Sequence, residues 1–451
     1  MSSVQNNLAL MNGIAKVLDW LYITGLGFAW GDEAKGKVVF SLLERLTGIK
    51  VTHETFKGCY NFVMDLRAQP VPHNTIICAR FNGGSNAGHT NVIPGLQTPV
   101  AVLPGSEPKY TDTVKTQSIP SGILVPGVVC IIGPECLVSL EVLQAEVQML
   151  TDLGITDIRN RLIIASQCHV VTAKHKEQDK KNEENGKLNG TAIGTTCSGI
   201  GPCNADKANR TGFRVDSPSF FEEFSKLGLV MDIPAFFMKQ ADADVRGLKV
   251  VFEGAQAVEL DITYGLYPYV TSSSTLQHQI YSLGLPRRVA EDNVILVLKA
   301  YDTYVGQAKG FEPPGEVFKK IRDVGHEYGS NTKRPRFVNY LDLTRLRRTI
   351  FMNATPNGRI IVVINKDDVL QTVSETFGKE AFGLYLEDSA DGAAIQHQPP
   401  QFLPKKPHLC EDLADMRATI VRTLESYGVL REHIIFSDTP ESDPSIWNGV
   451  F

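Results

Sequence analysis

The sequence predicts an α/β fold with a largely parallel sheet, because short apolar runs rich in β-formers alternate with helical patterns and glycine-rich turns. The runs are apolar throughout, which is typical of strands covered on both faces. Residues 139–154 show helical spacing between two of these runs. The predicted strands are LYIT (21–24), TIICARF (75–81), GVVCIIG (127–133), RLIIA (161–165), KVVFEG (249–254), NVILVLKAY (293–301) and RIIVVIN (359–365).

The absence of internal repeats and of Pro/Ser-rich linkers predicts one domain over residues 21–451, preceded by an N-terminal helical extension over 1–20. Two segments are predicted to be surface excursions. Residues 50–74 interrupt the path to the second strand as an insertion. Residues 174–190 are almost wholly polar and are expected to be solvated and mobile.

Composition excludes several classes of protein. The net charge of −5 over 451 residues gives no general attraction to nucleic acid or to a membrane. No apolar run is long enough to span a bilayer, and the N-terminus lacks the features of a signal peptide. The eight cysteines include no C-x-x-C pair, so a zinc site is not expected. Their scattered positions predict a reducing, cytoplasmic location.

The stretch GFAWGDEAKGKVV (27–39) contains G-x-x-x-x-G-K between a predicted strand and a predicted helix, the context of a phosphate-binding loop. Val38 stands where a hydroxyl would normally hold Mg²⁺. The carboxylate of Asp32 offers a hard oxygen ligand in its place. Taken alone, the stretch fits an exposed loop at a helix start equally well.

Further loops combine glycine with groups suited to polar ligands. RFNGGSNAGHTN (80–91) surrounds Asn86 and His89 with glycines, although a lone histidine is more often structural than catalytic. Other such stretches follow other strands: GTAIGTTCSGIGP (190–202), VFEGAQ (251–256), GHEYGSNTKRPR (325–336) and VINKDDVL (363–370). The last contains N-K-x-D, in which an aspartate can accept two hydrogen bonds from guanine; downstream of a phosphate loop it favours GTP.

Taken in order, these motifs resemble those of the adenylosuccinate synthetase family, from about residue 21 to about residue 442. The resemblance implies a large twisted, mainly parallel central sheet with flanking helices, a nucleotide site like that of P-loop NTPases, and a homodimer. It implies GTP-dependent ligation of IMP and L-aspartate to adenylosuccinate through 6-phosphoryl-IMP, in AMP biosynthesis. GDP and phosphate would be released, and Mg²⁺ would be the cofactor.

The resemblance also implies roles for individual residues. Catalysis would involve Asp32, His89, Gln256 and Lys35, and the metal would meet Asp32 and Gly88. IMP would be bound by Asn86, Thr196, Gln256, Thr271 and Val305, and by Arg210 of the neighbouring subunit. Aspartate would meet Thr332 and Arg334. GTP would be bound by Gly31, Glu33, Lys35, Gly36, Lys37, Arg336, Lys366, Asp368, Ser437 and Pro440.

Two departures from the family pattern leave alternatives open. Ala34 replaces a glycine of the phosphate loop, where its methyl group would restrict φ or crowd a phosphate. Ser198 replaces an arginine that helps to bind aspartate. The first alternative is a synthetase on the same scaffold with another amino acid or purine nucleotide as substrate. The second is a nucleotide-binding paralogue without activity.

Overall fold

The computed structural model describes residues 20–31, 33–100, 109–285, 293–306, 311–328, 334–354, 358–386, 406–437 and 443–450. Within them, nine strands form one sheet in which each neighbouring pair is parallel. The order across the sheet is β5-β4-β3-β2-β6-β1-β7-β8-β9. The strands are β1 Leu21–Gly27, β2 Ile76–Arg80, β3 Val129–Ile132, β4 Leu162–Ala165, β5 Leu229–Met231, β6 Lys249–Ala257, β7 Asn293–Lys299, β8 Arg359–Asn365 and β9 Ile434–Ser437.

All seven predicted strands belong to this sheet, so the predicted parallel sheet is confirmed. The apolar runs at their centres have a direct structural reason. In β7, the neighbouring residues Ile295 and Leu296 point to opposite faces of the sheet, yet both are fully buried. Both faces are therefore covered, as expected for a parallel sheet.

Helices and smaller strands connect the sheet. The α-helices are α1 Lys35–Thr47, α2 Leu140–Asp152, α3 Ile158–Arg161, α4 Ala173–Asn189, α5 Ile200–Asn209, α6 Phe221–Ser225, α7 Ile233–Asp242, α8 Glu316–Val324, α9 Leu343–Asn353, α10 Asp367–Phe377 and α11 Leu413–Ser426. The short 3-10 helices are His53–Phe56, Ser121–Leu124, Val258–Leu260, Gln277–Leu283, Gly378–Ala381, Arg431–His433 and Pro444–Trp447.

A second, four-stranded sheet lies beyond β7 in the chain and consists of Tyr301–Tyr304, Phe337–Asp342, Gly383–Tyr385 and His408–Leu409. Three two-stranded pairs complete the strands: His89–Val92 with Thr113–Thr116, Thr98–Val100 with Lys109–Thr111, and Leu137–Val138 with His169–Val170. Among the described residues, the helices are too short or too polar to cross a membrane.

Residues 174–190 are mostly exposed, as expected of a solvated segment, but almost all of them form the regular helix α4. Thr172 and His175 make a capping box at its start, and Gly190 ends it in the left-handed conformation. Its buried face is polar and includes His175, Asp179 and Glu183. Apolar periodicity could not reveal this helix, since polar side chains occupy the positions that face the protein.

The segment at 50–74 is only partly a surface excursion. Val51, Phe56 and Tyr60 are buried in the core, and the Tyr60 hydroxyl donates to the Leu124 carbonyl at 2.7 Å. Val63, by contrast, is 86% exposed. The segment therefore contributes to the core as well as to the surface. Of the N-terminal helical extension predicted over residues 1–20, all but Trp20 lies outside the described part of the chain.

Candidate active site

The predicted site residues converge at one edge of the sheet, where five adjacent strands end. In the order β2-β6-β1-β7-β8, these strands lead to His89, Gln256, the phosphate loop, Val305 and Lys366. Parallel strands place their carboxyl ends on the same edge, and α/β proteins bind ligands in the crevice outside it. Segments that are distant in sequence are thereby brought together.

Glu33 organises the phosphate loop between β1 and α1. Its carboxylate accepts hydrogen bonds from the N–H groups of Ala29 at 3.2 Å and Gly31 at 2.7 Å, and from the Lys35 ammonium at 2.9 Å. A Cβ on Gly27 would lie 2.5 Å from Glu33 Oε2 and 2.6 Å from Lys35 Nζ, so this close approach requires glycine. Glu33 thus holds the loop from inside the protein.

Ala34 adopts the left-handed conformation, with φ 69° and ψ 31°, immediately before α1. In that region the Cβ of an L-residue crowds the following carbonyl, at a cost of about 1–2 kcal/mol. Ala34 is therefore strained, and the expectation that its methyl group restricts φ or crowds a phosphate stays a prediction. The neighbouring Asp32 lies outside the described residues.

His89 is held by a buried carboxylate that the sequence analysis did not identify as functional. Its Nδ1 forms a short contact with Glu253 Oε1, and Glu253 also accepts from the Ser121 N–H at 2.7 Å and the Ser121 hydroxyl at 2.6 Å. Although burial raises the pKa of Glu253, His89 and Arg80 lower it to about 2. An ionised carboxylate only accepts, so Nδ1 carries the proton and Nε2 is left for a ligand.

Glu253 stands inside the FEGAQ stretch, and one signal could have revealed it. An acidic residue within an apolar strand is rarely buried unless it is paired. Glu253 is fully buried in β6, and it is paired.

The loop that carries His89 is fixed from two sides. Arg80, 1% exposed, donates to the Ala87 carbonyl at 2.9 Å and to the Gln117 carbonyl. On the other side, a Cβ on Gly36 would lie 2.6 Å from His89 Cβ. Glycine at this position lets the first turn of α1 approach the histidine closely.

Gln256 and Asn86 present unpartnered polar atoms to the same space. Both side-chain polar atoms of Gln256 and the Oδ1 of Asn86 are buried without a hydrogen bond among the described residues. Gln256 also holds a left-handed φ of 56°. Unsatisfied buried polar atoms and backbone strain are each costly, and they cluster at ligand sites.

Helix α4 positions the loop at 190–199. Asp179 accepts from the Gly199 N–H at 2.8 Å and from the Thr195 hydroxyl at 3.1 Å, and Glu183 accepts from the Gly194 N–H at 3.2 Å. Both carboxylates come from the segment that was predicted to be mobile. They satisfy N–H groups that would otherwise be buried without partners.

A cavity of about 1040 Å³ brings many of the predicted residues together. The phosphate loop, the His89 loop, helix α4 and the 190–199 loop all line it. The predicted residues in its wall are Gly31, Lys35, Gly36, Asn86, Gly88, His89, Thr196, Gln256, Thr271, Val305 and Arg336.

Other predicted residues lie outside this wall. Lys37 donates to the Ser437 hydroxyl at 3.0 Å, so these two link α1 to β9. Arg334 donates to the carbonyls of Gly194 at 3.1 Å and Thr195 at 3.0 Å, beneath the 190–199 loop. Like Glu33, these residues bond to other parts of the protein. Their predicted contacts with ligands stay predictions.

Three further predicted residues are accessible to a ligand or a partner. Arg210 is exposed in the left-handed conformation at the end of α5, and its side chain has no hydrogen bond or ion pair to the described residues. Lys366 and the exposed Asp368 begin α10 directly after β8. Thr332 and Pro440 lie outside the described residues.

The described residues contain no group of three or more His, Cys, Asp or Glu side chains arranged for a metal ion. Mg²⁺ does not require such a group, because it usually binds through one or two carboxylates together with phosphates and water. Gly88 lies in the cavity wall beside His89. A site built from Asp32 and the Gly88 carbonyl would consist of hard oxygen donors, which fit Mg²⁺.

Comparison with known proteins identifies relatives over most of the chain. The family model described as adenylosuccinate synthetase matches residues 69–228 and 219–377. The adenylosuccinate synthetase of Thermodesulfovibrio yellowstonii is 32% identical over 479 aligned positions, covering 92% of this chain and 98% of that protein.

Two solved structures resemble the fold. The fully ligated adenylosuccinate synthetase from Plasmodium falciparum matches with a TM-score of 0.60 and 27% identity over 77% of each chain. The succinoaminodeoxyadenylate synthetase of cyanophage S-2L, bound to dGMP and dATP, matches with a TM-score of 0.52. At 19% identity over 89% of this chain and 99% of that one, it supports the fold alone. These matches confirm the predicted fold class, a P-loop-like nucleotide-binding fold on a mainly parallel sheet.

Replacing Ala34 by glycine is expected to stabilise the protein. Glycine occupies the left-handed region without a Cβ clash, so Ala34→Gly should raise the free energy of unfolding by about 0.5–1 kcal/mol after the entropy of the unfolded glycine is counted. Denaturant unfolding measures the change. Ala418→Gly is the matched control, since Ala418 is exposed inside α11 and the same change there should destabilise by about 0.5–1 kcal/mol. A loss of stability in Ala34→Gly would contradict the strain.

Proposed function

The chain belongs to the adenylosuccinate synthetase family, and on that basis we propose that it ligates IMP and L-aspartate to adenylosuccinate with hydrolysis of GTP. This reaction is the known function of the family, whose members are ligases of purine biosynthesis. The proposal places the protein in the cytoplasm, in keeping with its eight unpaired cysteines.

One observation carries the proposal: His89, oriented by an ionised carboxylate, lines the same cavity as Lys35 of the phosphate loop and the unpartnered Gln256 amide. The 6-oxo group of a purine is a poor leaving group, and phosphorylation makes it a good one. Positioning and charge neutralisation supply most of the catalysis in phosphoryl transfer. A cavity with these groups could position the purine for phosphorylation and neutralise the charge of the transferring phosphoryl group.

In the proposed reaction, Asp32 takes the N1 proton of IMP, and O6 attacks the γ-phosphorus of GTP. GDP leaves, and the amino group of aspartate then displaces phosphate from C6. In its doubly protonated form, His89 donates through Nδ1 to Glu253 and through Nε2 to the transferring phosphoryl group, and Lys35 neutralises the charge of that group. Mg²⁺, held by Asp32 and the Gly88 carbonyl, would supply further charge neutralisation on the phosphates.

The proposal assigns each substrate to its own group of residues. Asn86, Thr196, Gln256, Thr271 and Val305 would bind IMP, joined by the arginine at 210 of a partner. Arg334 and Thr332 would bind aspartate. The GTP phosphates would meet Gly31, Lys35 and Gly36, its ribose would meet Arg336, and its base would lie near Lys366, Asp368, Ser437 and Pro440. Glu33 and Lys37 would support this subsite through their bonds within the protein.

The amino-acid subsite is where a changed substrate would arise. The Ser198 hydroxyl lies 2.9 Å from the Thr196 hydroxyl and contributes no charge. Loss of a charge-assisted contact typically costs about 1.5–3 kcal/mol. The second candidate is therefore a synthetase of the same scaffold that accepts a different amino acid.

Phosphate release from GTP, measured with a panel of nucleotides and amino acids, tests the proposal. We expect the wild-type protein to release phosphate when IMP and aspartate are both present, with a KM for aspartate above that of typical family members. Asp32→Ala, which lacks the proposed base, should release no phosphate. The panel includes dGMP, asparagine and glutamate. Turnover with another amino acid and none with aspartate would favour the second candidate. No release with any pair would indicate a paralogue without activity.

Replacing Glu253 by glutamine should impair turnover more than binding. The neutral amide no longer stabilises the imidazolium form of His89, which is the form that can donate through Nε2, so kcat should fall by roughly 10²–10⁴-fold while KM for GTP changes little. Burial lowers the pKa of His89, and the carboxylate opposes this. Without the carboxylate, the pKa of His89 falls further. The protonated form of His89, and with it any residual activity, should therefore be lost at a lower pH than in the wild-type enzyme.

Ser121→Ala is the control for Glu253→Gln, because it removes one hydrogen bond to the same carboxylate and leaves the charge in place. It should retain kcat within a few-fold. If both variants lose kcat equally, or if Glu253→Gln keeps a tenth of the wild-type value, the carboxylate does not orient a catalytic histidine.

Subunit mixing tests the proposed dimer. If Arg210 completes a neighbour's site, Arg210→Leu and Asp32→Ala should each be inactive, yet mixing them should restore roughly a quarter of the activity, since half the dimers then hold one intact site. The control mixes Asp32→Ala with a chain that carries both substitutions, which leaves no intact site. Absence of recovery after verified subunit exchange would exclude a shared site.

A further inference from the structure

Glu327 is a buried carboxylate that the proposed chemistry does not use. It follows α8, and its side chain is fully buried. Lys299 donates to it at 3.0 Å, Lys366 at 2.7 Å and the Tyr301 hydroxyl at 2.8 Å, and Arg336 forms a short ion pair with it. One carboxylate therefore holds three cations.

Glu327 stays ionised in this cluster. Although burial raises the pKa of Glu327, Lys299, Lys366 and Arg336 together hold it well below its usual range. Hydrogen bonds between cations and an ionised carboxylate are stronger than those between neutral groups, so Glu327 fixes the side chains that it binds.

Two of the three cations belong to segments assigned to the nucleotide. Arg336 lines the cavity. Lys366 is the lysine of N-K-x-D; it holds a left-handed φ of 65°, and its ammonium is fixed between Glu327 and the Gly325 carbonyl at 2.7 Å. With the ammonium fixed, the aliphatic stem is the part of Lys366 left to contact a base.

The same motif is attached to the phosphate loop. The Asn365 amide donates to the Glu33 carbonyl at 3.2 Å and to the Leu298 carbonyl at 3.4 Å. Residues that hold the phosphates and residues at the base are thus joined through one short network. Its cationic members converge on Glu327.

From this geometry we propose that Glu327 is a positioning residue for the GTP subsite, which fixes Arg336 toward the ribose side and the stem of Lys366 toward the guanine base. It touches no substrate and acts through these two cations. The inference rests on the proposed use of GTP and adds a specificity-determining carboxylate to it.

Steady-state kinetics of Glu327→Gln test the inference, after phosphate release by the wild-type enzyme with GTP, IMP and aspartate is established. Glutamine keeps the shape of the side chain but lacks the negative charge that holds Arg336 and Lys366 in place. KM for GTP should rise about tenfold or more, whereas kcat and KM for IMP should stay within about threefold, the pattern of lost ground-state binding. An inactive wild-type enzyme would instead refute the proposed function.

Asp157→Asn is the matched control, since Asp157 is another buried carboxylate, paired with Arg161 at 2.7 Å and outside the cavity wall. It should lower thermal stability without changing KM for GTP. The inference is overturned if Glu327→Gln leaves KM for GTP unchanged, lowers kcat alone, or raises KM for IMP equally.

Tyr301→Phe decides the question if Glu327→Gln does not fold. It removes one hydrogen bond to Oε1, the oxygen that also holds Lys366, and leaves all three cations in place. KM for GTP should then rise by about threefold at unchanged kcat, because one donor to a charged acceptor is lost. An unchanged KM for GTP would overturn the inference.

Discussion

Buried carboxylates hold the loops at the carboxyl edge of the sheet, and the geometry of the candidate site depends on them. Glu33 binds the N–H groups of the phosphate loop, Asp179 and Glu183 bind those of the 190–199 loop, and Glu253 holds His89. Loops rich in glycine have little side-chain packing to fix them, and their buried N–H groups need acceptors. An ionised acceptor makes a stronger hydrogen bond than a neutral one, so it fixes a loop more firmly.

The parts of the fold that depend on local pattern were predictable from the sequence. The seven predicted strands are built on apolar runs, whereas β5 and β9 each offer only three consecutive apolar residues and do not stand out. Helix α4 escaped prediction because tertiary hydrogen bonds, not apolar burial, stabilise its inner face. The candidate site was likewise predictable only in part. Motif spacing identified His89 and Gln256, but the roles of Glu253 and Glu327 depend on partners that are distant in the chain.

Three residues with strained backbone lie at the carboxyl edge of the sheet. Ala34, Gln256 and Lys366 adopt left-handed φ values although none is glycine. Ala34 and Lys366 come after β1 and β8, and Gln256 lies at the end of β6. Each costs on the order of 1–3 kcal/mol and persists only where surrounding contacts dictate it. For Lys366 these contacts include the buried carboxylate of Glu327, so stability and the position of this lysine are coupled.

The strand order also constrains when the phosphate loop can exist during synthesis. Strand β1 is made first, yet its two neighbours are β6 and β7, with Leu21 opposite Lys249 and Ile23 opposite Asn293. More than half of the chain must therefore leave the ribosome before β1 can take its place in the sheet. Until then an apolar strand of seven residues stays unpaired, which exposes the nascent chain to aggregation. A central position for the first strand makes nucleotide binding a late event in folding.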